Sequence, residues 1–116
     1  MRLYYNEGIK KMKVVNDADF ENEVLKSTTP VLVDFFASWC GPCRQMLPVV
    51  EEVAEEKKDL LKIVKMDVDE SSQTPNSYDV QSIPTLILFK DGTVLDKKVG
   101  SLPKKELVAW LEDSLI

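Results

Sequence analysis

Cys40 and Cys43 are the two thiols of the 116-residue chain, and they bracket a Gly-Pro dipeptide. A pair at this spacing suits thiol–disulfide exchange. One thiolate attacks a disulfide, and the second, within one helical turn, displaces the mixed disulfide that results. The attacking sulfur must be ionised near neutral pH. A helix N-terminus provides for that, because its free N–H groups and the positive end of the helix dipole stabilise a thiolate. At such a position the pKa of Cys40 is expected to fall below the value of about 8.5 of a free thiol. Pro42 fits the first turn of a helix, where its missing N–H leaves no bond unmade. Gly41 allows a partner's backbone to come close. Trp39 precedes the first thiol and offers contact area beside it; plain core packing is its competing use.

Composition removes most other chemistry. The chain has no histidine, which excludes Ser/His and Cys/His nucleophile pairs and every zinc site that uses His. Two cysteines supply half of a structural zinc site at most, so no metal is expected. Fifteen Lys and Arg against twenty Asp and Glu leave a formal net charge of −5. No basic stripe offers itself to phosphates, so nucleic acid is not expected as a partner. No apolar stretch approaches the length of a membrane span, and the polar first residues lack the apolar core of a signal peptide. The expected compartment is the cytoplasm, where a paired cysteine motif is more often catalytic than structural.

The surrounding pattern places the cysteines at a strand-to-helix junction. Residues 1–11 read as an N-terminal extension open to disorder, and residues 12–116 as one domain. Met12 to Val15 is a candidate edge strand. Asn16 or Asp17 is positioned to cap a helix reaching about Lys26. Val31 to Phe36 is a short run apolar on both faces, as in a strand covered on both sides. A helix then runs from Cys40–Pro42 to about Lys57, with Met46, Leu47, Val50 and Val53 as its buried stripe and a kink expected at Pro48. Leu61 to Val68 is a second buried strand, and Ser71 or Ser72 is a candidate cap for a short helix through Tyr78. Thr85 to Lys90 and Thr93 to Val99 form a hairpin about Asp91-Gly92. Pro103 opens a last helix that turns Leu107, Trp110 and Leu111 inward. The order β-α-β-α-β-α-β-β-α predicts an α/β fold of three layers, α/β/α, with a central mixed sheet of about five strands and four helices.

Two charged residues stand out in this frame. Asp34 lies within the apolar run Val31–Phe36, where desolvation raises a carboxyl pKa and makes it a fitting proton acceptor near neutral pH. Lys65 shares a strand face with Ile63, so its stem is a candidate for burial, with a snorkelling surface lysine as the alternative.

The stretch Val33-Asp34-Phe35-Phe36-Ala37-Ser38-Trp39-Cys40-Gly41-Pro42-Cys43 resembles the thioredoxin family, whose Trp-Cys-Gly-Pro-Cys core is highly specific. Pro48, Lys65, Asp67, Asp69, Ile83-Pro84-Thr85, Phe89, Gly92 and Gly100 fall at the family's spacing. The resemblance covers about residues 12–116. It implies the thioredoxin fold and a general protein-disulfide reductase that needs no bound cofactor beyond a redox-active Cys40–Cys43 disulfide. Cys40 would attack, Cys43 would resolve, and Asp34, with Lys65 nearby, would take the proton of Cys43 through water. It further implies a cis Ile83–Pro84 bond facing the cysteines. Trp39, Gly41, Pro42, Val68, Ile83, Pro84, Val99 and Gly100 would then form an apolar landing surface for extended substrates. The implied partners are an NADPH-dependent thioredoxin reductase and disulfide-containing client proteins, met by a monomeric, soluble carrier. Two rivals stay open: a non-catalytic binding module on the same fold, and an oxidase or isomerase relative.

Overall fold

The computed structural model describes residues 12–115. The extension read into residues 1–11 lies outside them. The elements follow as β1 (Lys13–Val14), α1 (Glu21–Leu25), β2 (Val31–Phe36), α2 (Gly41–Glu56), β3 (Lys62–Asp67), α3 (Gln73–Ser77), β4 (Thr85–Lys90), β5 (Thr93–Val99) and α4 (Lys104–Leu115). They form a five-stranded sheet in the order β1-β3-β2-β4-β5. β3 runs parallel to both β1 and β2, whereas β4 is antiparallel to β2 and β5. The sheet is therefore mixed, with β2 at its centre.

Side-chain alternation on β2 builds the two halves of the core. Leu32 faces Met46, Val50 and Val53 of α2 and Leu107 and Leu111 of α4. Val31, Val33 and Phe35 face the opposite way, onto Phe20 and Val24 of the α1 region. Phe20, Tyr78 and Phe89 pack edge-on or tilted there, with ring centres 5.2–5.7 Å apart. Leu47, expected in the buried stripe of α2, is half-buried at its margin. α2 continues through Pro48, whose ring is on the exposed side.

The capping of the small helices differs from the sequence expectation. Asn16 closes a local turn, its Oδ1 accepting from the Asp19 N–H at 2.9 Å. Asp17 serves a different helix. Its carboxylate accepts from the N–H groups of Gln73 and Thr74 at 3.1 and 2.8 Å, at the start of α3. Ser72 makes no side-chain cap, and Ser71 instead accepts from the Asp17 N–H at 3.1 Å. Burial opposes ionisation of Asp17, but hydrogen bonds from Thr74 and its neighbours outweigh it and hold the carboxyl below the ordinary range. α1 is one wide turn rather than a helix from residue 16 to residue 26, its end marked by a bond from the Lys26 N–H to the Glu21 carbonyl.

The β4–β5 hairpin turns on Asp91 and Gly92 with φ of 53° and 81°, the conformation that Asp-Gly favours. A Cβ on Gly92 would also lie 3.1 Å from the Leu25 carbonyl oxygen. Gly92→Ala is therefore expected to cost roughly 1–2 kcal/mol, the penalty of a left-handed non-glycine residue. Denaturant unfolding at equilibrium reads this directly. A loss below a few tenths of a kcal/mol would contradict it.

Candidate active site

β2 ends at Phe36, and the chain makes a tight turn before α2, with the Cys40 N–H donating to the Ala37 carbonyl at 3.1 Å. Cys40 takes the N-cap position of α2 in extended backbone geometry. Its sulfur accepts from the Cys43 N–H at 3.2 Å. Cys40 and Cys43 are joined as a disulfide, with Cα atoms 5.2 Å apart. The helix thus aims one of its free N–H groups at the sulfur that precedes it, the donor a thiolate at that position would use.

Both cysteines pack with Ala37 against Phe36, Val68 and Ile83. Cys40 is 4% exposed in this oxidised form, so it does not project from the surface. The Ile83 carbonyl oxygen lies 3.9 Å from Cys40 Sγ. The Ile83–Pro84 peptide bond is cis. The Pro84 carbonyl accepts from the Gly100 N–H at 2.8 Å, and Val99 pairs with Thr85 in the β4–β5 ladder. Thr85 Oγ1 donates to the Ser82 carbonyl at 2.6 Å and pins the loop that carries Ile83. Gly100 has a φ of 95° where β5 ends. Pro84 is buried, Gly41 and Gly100 are half-buried, Pro42 is exposed, and Val99 keeps 59% of its surface open.

Trp39 is 66% exposed. Its Nε1–H donates to Asp69 Oδ2 at 2.8 Å. An indole anchored at one edge and open on its faces is not core packing.

Asp34 sits on β2 between Lys65 of β3 and Leu86 of β4 in register. It is 3% exposed, and its Oδ1 finds no hydrogen-bond partner among the described residues. Burial pushes its pKa from 3.8 up to about 6, opposed in part by the positive charge of Lys65. Lys65 itself is half-buried, its ammonium 5.4 Å from the centre of the Phe36 ring. Asp34 and Cys43 line one cavity of about 220 Å3 with Phe36, Ala37, Ser38, Arg44 and Leu47. A larger cavity of about 430 Å3 lies near the other end of α2, with Met12, Lys13, Lys58 and Lys62 among its lining residues, and holds neither sulfur nor Asp34.

The thioredoxin family model matches residues 11–113. The chain belongs to the thioredoxin family. It is 48% identical to a thioredoxin of Rickettsia typhi over 87% of this chain and 96% of that protein. To a thioredoxin of Rhodospirillum rubrum it is 51% identical over 90% of this chain and all of the other. To one of Pseudomonas aeruginosa it is 50% identical over 87% and 94%. With the Cys40–Cys43 disulfide at the head of α2, membership makes the protein a thiol–disulfide oxidoreductase acting on protein disulfides. The thioredoxin fold expected from the sequence is the one observed. Membership also implies disulfide-bearing clients and a reductase that restores the dithiol. Among the described residues no helix is long and apolar enough to cross a membrane.

The residues singled out in the sequence fall into two groups. Cys40, Cys43, Val68 and Ile83 touch, with Trp39, Gly41, Pro42, Pro84, Val99 and Gly100 on the segments that frame them. Asp34 and Lys65 lie behind, on the central strands. Sequence reasoning gave no part to Arg44, whose Nη1–H donates to the Ser38 carbonyl at 2.8 Å. Its position next to Cys43 was the only signal available.

Proposed function

We propose that this protein is a general protein-disulfide reductase in which Cys40 attacks, Cys43 resolves and Asp34 accepts the resolving proton. The Cys40 thiolate adds to one sulfur of the client disulfide, and the other client sulfur leaves as a thiolate. Cys43 passes its proton to Asp34 and attacks Cys40 Sγ. The Cys40–Cys43 disulfide forms and the second client thiolate departs, taking up a proton. Two electrons pass from the dithiol to the client. The reading rests on one observation above the others: the Cys43 N–H directed at Cys40 Sγ from the first turn of α2.

The remaining assignments follow the same logic. Trp39, Gly41, Pro42, Val68, Ile83, Pro84, Val99 and Gly100 receive an extended client segment, and Ile83 offers backbone groups beside the reacting sulfur. Lys65 moderates the charge of Asp34. The disulfide is itself the redox group, with no further cofactor. An NADPH-dependent thioredoxin reductase restores the dithiol, and the protein works as a cytoplasmic monomer, with residues 12–116 as the catalytic unit and 1–11 as an extension.

Insulin reduction driven by dithiothreitol tests this reading. The protein should accelerate precipitation of the insulin B chain at substoichiometric amounts. Titration against glutathione should place the Cys40–Cys43 couple well on the reducing side of the glutathione pair. Absence of acceleration would leave a binding module, and a strongly oxidising potential would leave an oxidase.

A further inference from the structure

The segment from Tyr78 to Pro84 joins α3 to β4 and carries Ile83, whose carbonyl oxygen lies 3.9 Å from Cys40 Sγ. Strand β5 and the glycine that follows it hold this segment at both ends. Near the sulfur, the Gly100 N–H donates to the Pro84 carbonyl at 2.8 Å. At the far end, Lys97 Nζ donates to the Tyr78 carbonyl at 3.3 Å and to the Asp79 carbonyl at 3.1 Å. Lys97 is half-buried and stands opposite Ile87 in the β4–β5 ladder.

The far end is a helix stop built without glycine. Asp79 has a φ of 58°, the left-handed geometry in which helices commonly end. The Asp79 N–H donates to the Asn76 carbonyl at 3.2 Å, and the Val80 N–H to the Pro75 carbonyl at 2.9 Å. Gln81 Nε2–H donates to Asp79 Oδ1 at 2.9 Å. A lysine suits the carbonyls at such an end, where it supplies donors and a positive charge together. Between the two ends, Tyr78, Val80 and Ile83 pack against the same half of the core, Ile83 also reaching the cysteines, and Thr85 Oγ1 pins Ser82.

We infer that Lys97 is a positioning residue for client binding: by fastening the Tyr78–Asp79 turn to β5, it fixes where Ile83 presents its backbone to an extended client beside Cys40. This deepens the proposed reading of the Ile83 segment as part of the client surface and rests on it. The Cys43 N–H that serves Cys40 Sγ belongs to a different element, α2. The effect of Lys97 therefore falls on clients that use the Ile83 backbone, and not on disulfides too small to reach it. Without the fastening the segment samples positions that do not receive a client, and apparent affinity falls in proportion to the fraction still in place.

The test gives the reduced full-length protein two substrates: a disulfide-bridged peptide, and hydroxyethyl disulfide, which has no peptide backbone. The parent should reduce the peptide much the faster. In Lys97→Met the KM for the peptide should rise about three- to tenfold at unchanged kcat, with no change in the rate on the small disulfide. Lys97→Gln, shorter and uncharged, gives a second reading of the same loss. Lys97→Arg keeps a cationic donor and should restore most of the KM. Lys98→Met removes the same charge one residue along and should leave the KM at the parent value. A thermal melt of each variant shows that it is folded. An equal loss on both substrates would overturn the inference, as would a matching rise of KM in Lys98→Met, which would assign the effect to charge alone. A parent without preference for the peptide would sink the client-surface reading and the role of Lys97 together. A parent with that preference, kept intact in Lys97→Met and Lys97→Gln, would sink the role of Lys97 alone.

Discussion

Cys40→Ser is expected to abolish turnover, with insulin reduction falling to the rate of dithiothreitol alone. A serine hydroxyl at the head of α2 is not ionised near neutral pH and does not attack sulfur as a thiolate does. The Cys43 N–H that meets Cys40 Sγ at 3.2 Å would then have no reactive sulfur to stabilise. Cys43→Ser should behave differently. Cys40 can still attack once, but the resolving thiol held one turn away is gone. Well-oriented intramolecular groups act at effective concentrations on the order of 10^5 M or more, so an external thiol is a poor substitute. A mixed disulfide between Cys40 and the client should therefore accumulate and survive on a non-reducing gel. Mass spectrometry of the adduct identifies the sulfur. Full activity in Cys40→Ser would refute the catalytic reading, and trapping by Cys40→Ser instead of Cys43→Ser would reverse the two roles.

The second large effect concerns Asp34. Its folded pKa of about 6 stands above the ordinary 3.8 because burial disfavours the charged form. For an acid with a raised pKa the folded state binds more protons than the unfolded state between these two values, so stability falls as pH rises through that window. Below about pH 4 the carboxyl is protonated in both states and contributes no penalty. Above about pH 6 the difference of about two units corresponds to about 3 kcal/mol. Asp34→Asn removes the ionisation, so it should stabilise the oxidised protein by up to about 3 kcal/mol at pH 8 relative to its effect at pH 4. Denaturant unfolding at the two pH values gives the difference directly. An effect of Asp34→Asn that is the same at both would show that Asp34 is not strained by its charge.

The same substitution should slow catalysis. An amide does not accept the Cys43 proton, and loss of a general base lowers rates on the order of a hundredfold, less where water substitutes. The fall should appear in the release of reduced client and not in the binding of the oxidised one. Gain of stability with loss of rate in one variant is the signature of a charged group kept for chemistry at the expense of the fold.

Much of this architecture was legible along the chain. The strands Val31–Phe36, Thr85–Lys90 and Thr93–Val99 coincide with the short apolar runs and the Asp-Gly turn that predicted them. The start of α2 follows from Cys40-Gly41-Pro42, because Pro42 tolerates only the first turn and the spacing of Met46, Val50 and Val53 marks one helical face. The raised pKa of Asp34 was also within reach, since an aspartate inside an apolar strand must be desolvated. These are local properties: period, turn chemistry and the environment that immediate neighbours impose.

The tertiary structure decided which distant groups meet. Asp17 looked like the cap of its own helix but caps α3, 56 residues away, because packing brings the two turns together. Nothing local marks Ile83–Pro84 as cis, or brings Ile83 to 3.9 Å from Cys40 Sγ. The seating of Asp34 behind Cys43 depends on β2 lying between β3 and β4 with α2 across it. A one-dimensional pattern specifies which face a side chain occupies. The partner on that face is fixed only when strand order and packing bring the elements together, and here that partnership places a buried carboxyl in one cavity with the resolving cysteine.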